Sequence, residues 1–355
     1  MTLKLEQISQ MVGGQMNLYP LNLTLVPNAV TVLLGATQAG KTSLMRLMAG
    51  LDTPTEGRVW VDGKDVTGMG VRERNVAMVY QQFINYPNLS VWENIASPLR
   101  VAGLKIDEIK RRVSSIAELL KLTPYLDRQP SQLSGGQQQR AAIARALVKE
   151  CKLVLLDEPF ANLDYKLRES LRDELPRLLA DRGAIVVYAT TEPSEALQLG
   201  GLVATLFEGR VTQFGPSSSL YRFPRDLRTA QILSDPPINI APGKKIGSRL
   251  ELTASVGWEL GHAHTNLPEG DIYVGLRPHH VLPENLGRGV SIEGRVRISV
   301  VSGSESVIRF ETDSMLWVSN SQGLKRFDVG ETTSFWLDID RAMYFRPDGS
   351  QIALD

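Results

Sequence analysis

Apolar and polar residues alternate along Leu3-Lys4-Leu5-Glu6-Gln7-Ile8 and again along Leu21-Asn22-Leu23-Thr24-Leu25-Val26, the period-two pattern of half-buried antiparallel strands. Val30-Thr31-Val32-Leu33-Leu34 follows as an almost unbroken apolar run, which predicts a strand buried on both faces. A glycine turn then leads into Leu44, Leu47 and Met48 at helical spacing. Further on the pattern is mostly helical. Ser90-Val91-Trp92-Glu93 has the Ser-x-x-Glu form of a helix-starting capping box. Ile106, Ile109, Val113, Ile116 and Leu120 recur every three or four residues and mark one face of an amphipathic helix. The basic cluster Lys110, Arg111, Arg112 on that helix reads as a solvated face rather than a docking patch.

Buried-strand runs return at Leu153–Leu156, Ala184–Ala189 and Leu202–Phe207. Strands alternating with helices predict a largely parallel α/β sheet. The character changes around Ser234-Asp235-Pro236-Pro237. Beyond it come short β-patterned runs (Tyr273–Leu276, Gly294–Val301, Ser306–Phe310, Leu316–Ser319, Thr333–Leu337) separated by Gly, Pro, Asn and Asp. The expected organisation is an α/β domain over residues 1–235, with a helical subdomain at about 85–150. A small all-β, OB-like domain would cover residues 236–355.

Composition narrows the function classes. The 355 residues include 39 Lys+Arg and 39 Asp+Glu. A balanced chain has no polyelectrolyte reason to bind nucleic acid or an anionic membrane surface. A single cysteine, Cys151, excludes an internal disulfide and fits a reducing cytosol. No stretch approaches 18 consecutive apolar residues, and Met1–Gln7 lack the apolar core of a secretion signal. A membrane role is therefore expected to be peripheral, through partners that supply the spanning helices.

Gly35-Ala36-Thr37-Gln38-Ala39-Gly40-Lys41-Thr42, followed by Ser43, fits the phosphate-loop pattern GxxxxGK[ST] between a buried strand and a helix. Glycines let backbone N–H groups curl round phosphates, and the helix N-terminus adds favourable partial charge. Lys41 would reach the β- and γ-phosphates of ATP, and the Thr42 hydroxyl would ligate Mg²⁺. Leu153-Val154-Leu155-Leu156-Asp157-Glu158 is a buried strand ending in two carboxylates. Alternation along a strand gives adjacent acids different jobs. Asp157 is expected to hold Mg²⁺, and Glu158 to polarise the attacking water as general base.

Leu133-Ser134-Gly135-Gly136-Gln137 lies between these two motifs. In that order the set resembles the ATPase domain of ABC transporters over residues 1 to about 235. The resemblance implies that Ser134, Gly135, Gly136 and Gln137 form the signature that contacts ATP bound to an opposite subunit. It also makes Gln81 the Q-loop glutamine near Mg²⁺ and water, with Gln82 as the alternative. Asp164, in Ala161-Asn162-Leu163-Asp164, becomes a D-loop residue at a dimer interface. Phe83 to about Arg100 would form the face that receives coupling helices of the membrane subunits. Tyr273-Val274-Gly275-Leu276-Arg277-Pro278, Met343-Tyr344-Phe345-Arg346-Pro347-Asp348-Gly349 and Asp164-Tyr165-Lys166-Leu167-Arg168 resemble segments of importer ATPases of the maltose and glycerol-phosphate type.

Three positions depart from that family. Thr191, in Tyr188-Ala189-Thr190-Thr191-Glu192, occupies the place of the H-loop histidine, and all four histidines (His262, His264, His279, His280) lie in the C-terminal domain. A lost catalytic hydrogen bond of this kind is worth roughly two orders of magnitude in rate. Val12 stands where an aromatic residue would stack on adenine, with Tyr19 the nearest aromatic, and Gln38 stands where glycine is usual.

The expected protein is thus an ATP- and Mg²⁺-dependent importer ATPase for a sugar or polyol, with glycerol favoured. It would sit on the cytoplasmic face of the bacterial inner membrane. Its partners would be two membrane-spanning permease subunits, a second ABC ATPase (a heterodimer favoured over a homodimer) and, indirectly, an extracytoplasmic solute-binding protein. The alternative is a regulatory nucleotide-binding subunit whose own site hydrolyses poorly. For His279-His280 a metal site is not expected, because neighbours on a strand face opposite ways and no thiol or carboxylate cluster joins them.

Overall fold

A computed structural model describes residues 1–160, 163–166, 168–172, 183–253, 256–261, 264, 266–285, 287, 289–313 and 315–353. The chain divides into two compact units, Met1–Ser218 and Ser219–Asp355.

The first unit contains two sheets. Strands β1 (Leu3–Val12), β2 (Gln15–Leu25), β4 (Glu56–Val61) and β5 (Lys64–Asp65) form an antiparallel sheet in the order β2-β1-β4-β5, with β3 (Val30–Leu34) lying elsewhere. The second sheet has the order β10-β9-β3-β8-β7-β6, built from β3, β6 (Val76–Val79), β7 (Leu153–Asp157), β8 (Ile185–Thr190), β9 (Leu202–Phe207) and β10 (Arg210–Pro216). Pairings among β9, β3, β8, β7 and β6 are parallel, and β10 closes one edge antiparallel to β9. Strands buried on both faces need unbroken apolar sequence, and β7 and β8 are buried at every position. The alternation of β1 and β2 instead puts Leu3, Leu5, Leu23 and Leu25 into the core, where they join Leu33, Leu44, Met48, Leu155, Val187 and Leu206 in one cluster.

Helices follow their sequence signals. Helix α1 (Lys41–Ala49) starts directly after the phosphate-loop pattern and ends at Gly50, whose φ of 73° is the left-handed cap that favours glycine. The carbonyls of Leu47 and Met48 at that end accept from the buried Arg74 guanidinium at 3.0 and 2.8 Å. Helix α2 (Val91–Val101) begins with the Ser90/Glu93 capping box, both hydrogen bonds being present. Helix α3 (Ile106–Leu119) buries Ile109, Val113 and Ile116, while Arg111 and Arg112 pair with Glu108 on the solvent side. Helix α4 (Gly135–Leu147) is capped by Ser134. Among the described residues no helix is long and apolar enough to cross a membrane.

The second unit is predominantly β, with two sheets of order β13-β12-β11-β14-β20-β21 and β15-β19-β16-β17-β18. Their strands are β11 (Asn239–Ile246), β12 (Arg249–Glu251), β13 (Gly257–Glu259), β14 (Gly270–Leu276), β15 (Val281–Leu282), β16 (Val290–Ser302), β17 (Glu305–Thr312), β18 (Met315–Gln322), β19 (Thr332–Leu337), β20 (Met343–Phe345) and β21 (Gln351–Ile352). Its core stacks Phe310 on Phe335, with ring centroids 3.7 Å apart. The short helix Leu227–Ile232 belongs to this unit because Ala230 and Leu227 pack with Ile238, Met343 and Phe345. Arg277 is 3% exposed; it stacks on Tyr221 and donates to the carbonyls of Tyr221 and Leu233 and to the Ser234 hydroxyl.

One local expectation is corrected here. Pro278–His280 form a 3-10 turn, not a strand, so His279 and His280 do not face opposite ways. Their rings meet edge to face with centroids 4.2 Å apart, since proline sets the turn's φ and the backbone tightens behind it.

Candidate functional site

The carboxyl ends of four neighbouring parallel strands, β3, β8, β7 and β6, carry the phosphate loop, Thr191, Asp157–Glu158 and Gln81 respectively. In open parallel sheets ligands bind at that edge, because loops leaving the strands there can converge. Register fixes the convergence: Leu34 lies opposite Thr190, Asp157 opposite Ala189 and Val79 opposite Leu156. Two backbone hydrogen bonds then hang the outer tips on β8, Gly35 N–H to Thr190 O at 3.3 Å and Glu158 N–H to Ala189 O at 3.0 Å.

Within the loop, Gly35, Gly40 and Gln38 bear the conformational load. A Cβ on Gly35 would lie 2.4 Å from the Leu206 carbonyl, and Gly40 has φ of 100°. Gln38 adopts φ of 68°, the left-handed region in which a side chain is strained, at the position where a glycine is usual. Ala36 and Thr37 are exposed, whereas Ala39 is buried and accepts the Gly209 N–H at 3.1 Å. Ser43 accepts from the Asn17 amide at 2.8 Å, which fastens β2 to the start of α1.

Charged groups meet above this loop. Lys41 Nζ donates to the carbonyls of Gly35 and Ala36 at 2.7 and 3.0 Å and lies 3.6 Å from Glu158 Oε1. Burial lowers the Lys41 pKa below the usual ammonium range, opposed by Glu158 and Asp157. The Thr42 hydroxyl donates to Asp157 Oδ2 at 2.7 Å. Asp157 is 2% exposed, and burial raises its pKa against the lowering effect of the Thr42 hydrogen bond. Gln81 Nε2 donates to Glu158 Oε2 at 3.0 Å, so Gln81 and not Gln82 supplies this contact. Glu158 has φ of 45°, a strained backbone of the kind that clusters at functional sites.

These groups fit Mg²⁺ and a polyphosphate. A carboxylate buried beside a second carboxylate is costly without a cation, and the Thr42 hydroxyl with the Asp157 and Gln81 oxygens is a hard oxygen set suited to Mg²⁺. Among the described residues Lys41 meets only two carbonyls and one carboxylate, and it is placed to exchange those partners for phosphate oxygens.

Thr191 is exposed at the tip of β8, and among the described residues its side chain makes no hydrogen bond. Its neighbour Thr190 is buried and bonded to Glu195. The Ser134–Gln137 segment lies elsewhere on this unit: Ser134 and Gly135 are exposed at the N-terminus of α4. The capping box there joins Gln137 N–H to Ser134 Oγ at 3.4 Å and Ser134 N–H to Gln137 Oε1 at 3.0 Å. Gly136 follows in the first turn, and a Cβ on Gly135 would meet open space. Asp164 accepts the Arg168 N–H at 3.0 Å and starts a helical segment, while Ala161 and Asn162 lie outside the described residues. In the region read as a docking face, Ile84, Tyr86 and Val101 are exposed beside a cleft of about 300 Å³ lined by Met78, Tyr86, Pro98 and Arg145.

Val12, expected from the sequence to face the adenine, is 58% exposed next to the Gly13-Gly14 turn, with Met11 and Met16 also exposed. Tyr19 is covered by the Arg210 guanidinium, 3.4 Å from the ring centroid, so its face is occupied. Sequence reasoning missed Asn17, Arg74, Arg172 and Glu195. None belongs to a contiguous motif, and nothing in their flanking residues sets them apart.

Comparison with known proteins agrees with this geometry. The ABC transporter family model matches residues 18–161. The chain is 33% identical to the maltose/maltodextrin import ATP-binding protein MalK of Escherichia coli K12, over 98% of this chain and 96% of that protein. The MalK of Salmonella typhimurium is likewise 33% identical, over 93% of this chain and 91% of its own length. Among solved structures, the dimeric bacterial ABC transporter cassette MJ0796 aligns with a TM-score of 0.56 and 28% identity, covering 61% of this chain and 98% of the cassette. Its post-hydrolysis state bound to ADP and Pi aligns equally well, with a TM-score of 0.56. The chain belongs to the ABC transporter ATPases of the MalK import type, enzymes that hydrolyse ATP with Mg²⁺.

Proposed function

We propose that this chain energises import of a sugar or polyol, with glycerol the favoured solute, as one half of an asymmetric ATPase pair. The observation that carries the asymmetry is Thr191: the strand tip between the phosphate loop and Glu158 bears a short, exposed hydroxyl instead of an imidazole. Exposed Val12 and the covered ring of Tyr19 weaken the nucleoside side of the same site. By contrast the Ser134–Gln137 cap is complete and presents an open helix N-terminus to a second subunit. The chain therefore lends its signature to a competent site on a different ATPase.

In this reading the phosphate loop and Lys41 bind the phosphates, and Thr42, Asp157 and Gln81 would hold Mg²⁺, which would supply positive charge against the phosphate oxygens. Glu158 takes the proton of the attacking water once Lys41 and Gln81 release its carboxylate. Asp164 lies at the subunit interface. The cleft beside Tyr86 and Arg145 receives the permease subunits on the cytoplasmic face of the membrane, and an extracytoplasmic binding protein presents the solute to them. Full-length similarity to maltose import proteins supports a carbohydrate-like solute, and the segments Tyr273–Pro278 and Met343–Gly349 resemble those of importers of the maltose and glycerol-phosphate type.

ATP turnover of the purified chain alone tests the pairing. Low turnover alone, restored by the partner ATPase, is expected. Robust cooperative turnover as a homodimer, abolished by Glu158→Gln, would sink the heterodimer. Reconstitution with the membrane subunits, followed by a screen for solute-stimulated ATP turnover, tests the substrate: stimulation by another solute class and not by sugars or polyols overturns it.

The second reading is a regulatory subunit that binds ATP but barely hydrolyses it. Thr191 favours it, whereas Glu158, held in place by Gln81 and Lys41, favours turnover.

A further inference from the structure

Thr191 is bracketed by a buried ionic network that leads to the segment beginning at Asp164. Glu195 is 5% exposed, and both of its oxygens are engaged. Oε1 accepts from Arg172 Nη2 at 2.5 Å, while Oε2 accepts from the Tyr188 hydroxyl at 3.0 Å and the Thr190 hydroxyl at 2.5 Å. Thr190 Oγ1 in turn accepts the Glu192 N–H at 3.0 Å. The residues immediately before and after Thr191 are thus pinned by one carboxylate, directly or through one hydroxyl.

A second layer reaches the surface. Glu192 Oε2 lies 3.4 Å from Arg172 Nη2, and Glu192 Oε1 lies 3.3 Å from Arg168 Nη1. Arg168 also donates to the Leu163 carbonyl at 3.4 Å, and its N–H closes the first helical turn on Asp164. Two arginines from the segment that starts at Asp164 therefore grip two glutamates on the far side of Thr191. An ion pair as buried as Arg172–Glu195 is an expensive way to fill space, since an apolar pair of similar volume avoids the desolvation cost. What the ions add is directional: their hydrogen bonds fix the backbone around residue 191 relative to the Asp164 segment.

We propose that Arg172 and Glu195, with the outer pair Arg168–Glu192, are positioning residues that couple displacement of the Asp164 segment to the orientation of residue 191. Among the described residues none of these hydrogen bonds of the four side chains reaches the phosphate loop, which places their effect on the hydrolytic step and not on nucleotide affinity. The proposal rests on the ATPase reading of the strand-end site.

The test uses the full chain with its partner subunits, in the natural sequence and in a Thr191→His background where turnover is large enough to resolve. Glu195→Gln, Glu192→Gln and Arg168→Gln are compared for kcat, KM for ATP and melting temperature. Arg168→Glu combined with Glu192→Arg exchanges the outer pair. We expect kcat to fall at least tenfold for Glu195→Gln and at least threefold for each outer variant. KM should change by less than twofold, and the exchanged pair should recover at least half the lost rate. Unchanged kcat in the outer variants overturns the coupling, as does parallel loss of rate, KM and melting temperature without recovery on exchange. The ATPase reading fails separately, and takes the coupling with it, if the Thr191→His assembly with the partner's phosphate loop disabled shows no Glu158-dependent turnover.

Discussion

The Thr42 hydroxyl donates to Asp157 Oδ2 over 2.7 Å, joining the first turn of α1 to the tip of β7 across 115 residues of sequence. Asp157 is buried beside Glu158, and burial raises its pKa, so the ligand-free fold disfavours the charge it carries. Asp157→Asn keeps an acceptor for Thr42 and removes the buried charge. Its melting temperature without nucleotide is expected to rise by roughly 2–4 °C, the shift that about 1 kcal/mol gives in a domain of this size. Mg²⁺-dependent ATP turnover at this chain's own site should be lost in the same variant. Calorimetry and a turnover assay read the two effects separately.

Thr191→His restores an imidazole at the tip of β8. With Thr191 exposed and bound to nothing among the described residues, the substitution displaces no existing contact. Turnover at this chain's own site is expected to rise by roughly 10²-fold, the value of one well-placed catalytic hydrogen bond. Single-turnover hydrolysis with the partner's phosphate loop disabled isolates that site.

Gln38→Gly relieves a left-handed backbone, φ 68°, on an exposed loop residue. Left-handed geometry costs an ordinary residue about 1–2 kcal/mol, part of which glycine gives back through the entropy of the unfolded chain. A net gain of about 0.5–1 kcal/mol is expected in chemical denaturation of the first unit.

Histidine chemistry gives the second unit a pH dependence. Burial lowers the His280 pKa from its ordinary value to about 4, helped by the adjacent His279 and Arg277. The unfolded chain, with an ordinary imidazole, therefore binds more protons than the fold between about pH 6.5 and 4. Stability from this group is fully present above the unfolded value and is lost as pH falls through that window. In thermal melts from pH 7.5 to 4, His280→Asn should flatten the loss.

Gly294 lies in β16 where an added Cβ would stand 2.1 Å from Phe310 Cδ2. Phe310 cannot yield easily because it is stacked on Phe335. Gly294→Ala is expected to destabilise the second unit by about 1–3 kcal/mol, the usual cost of overpacking a core. Denaturation followed by tryptophan fluorescence, with Trp317 beside Phe310, reports it.

The sequence by itself determined the parts built from consecutive residues. The β3–loop–α1 unit, the Ser90 cap and the acidic end of β7 were legible because their hydrogen bonds and burial are local or periodic. So were β14, β16, β17, β18 and β19 of the β-rich unit and the departures at Thr191, Val12 and Gln38. Only the tertiary structure decided what those parts meet. Gln81 reaches Glu158 from 77 residues away because β6 and β7 are paired in parallel, a partnership that no local pattern encodes. Arg74 at the end of α1, Arg210 over Tyr19 and the Arg172–Glu195 network were invisible for the same reason. A lone charged residue in sequence does not reveal its counter-charge, and its partner is set by strand order and by the loss of water around both.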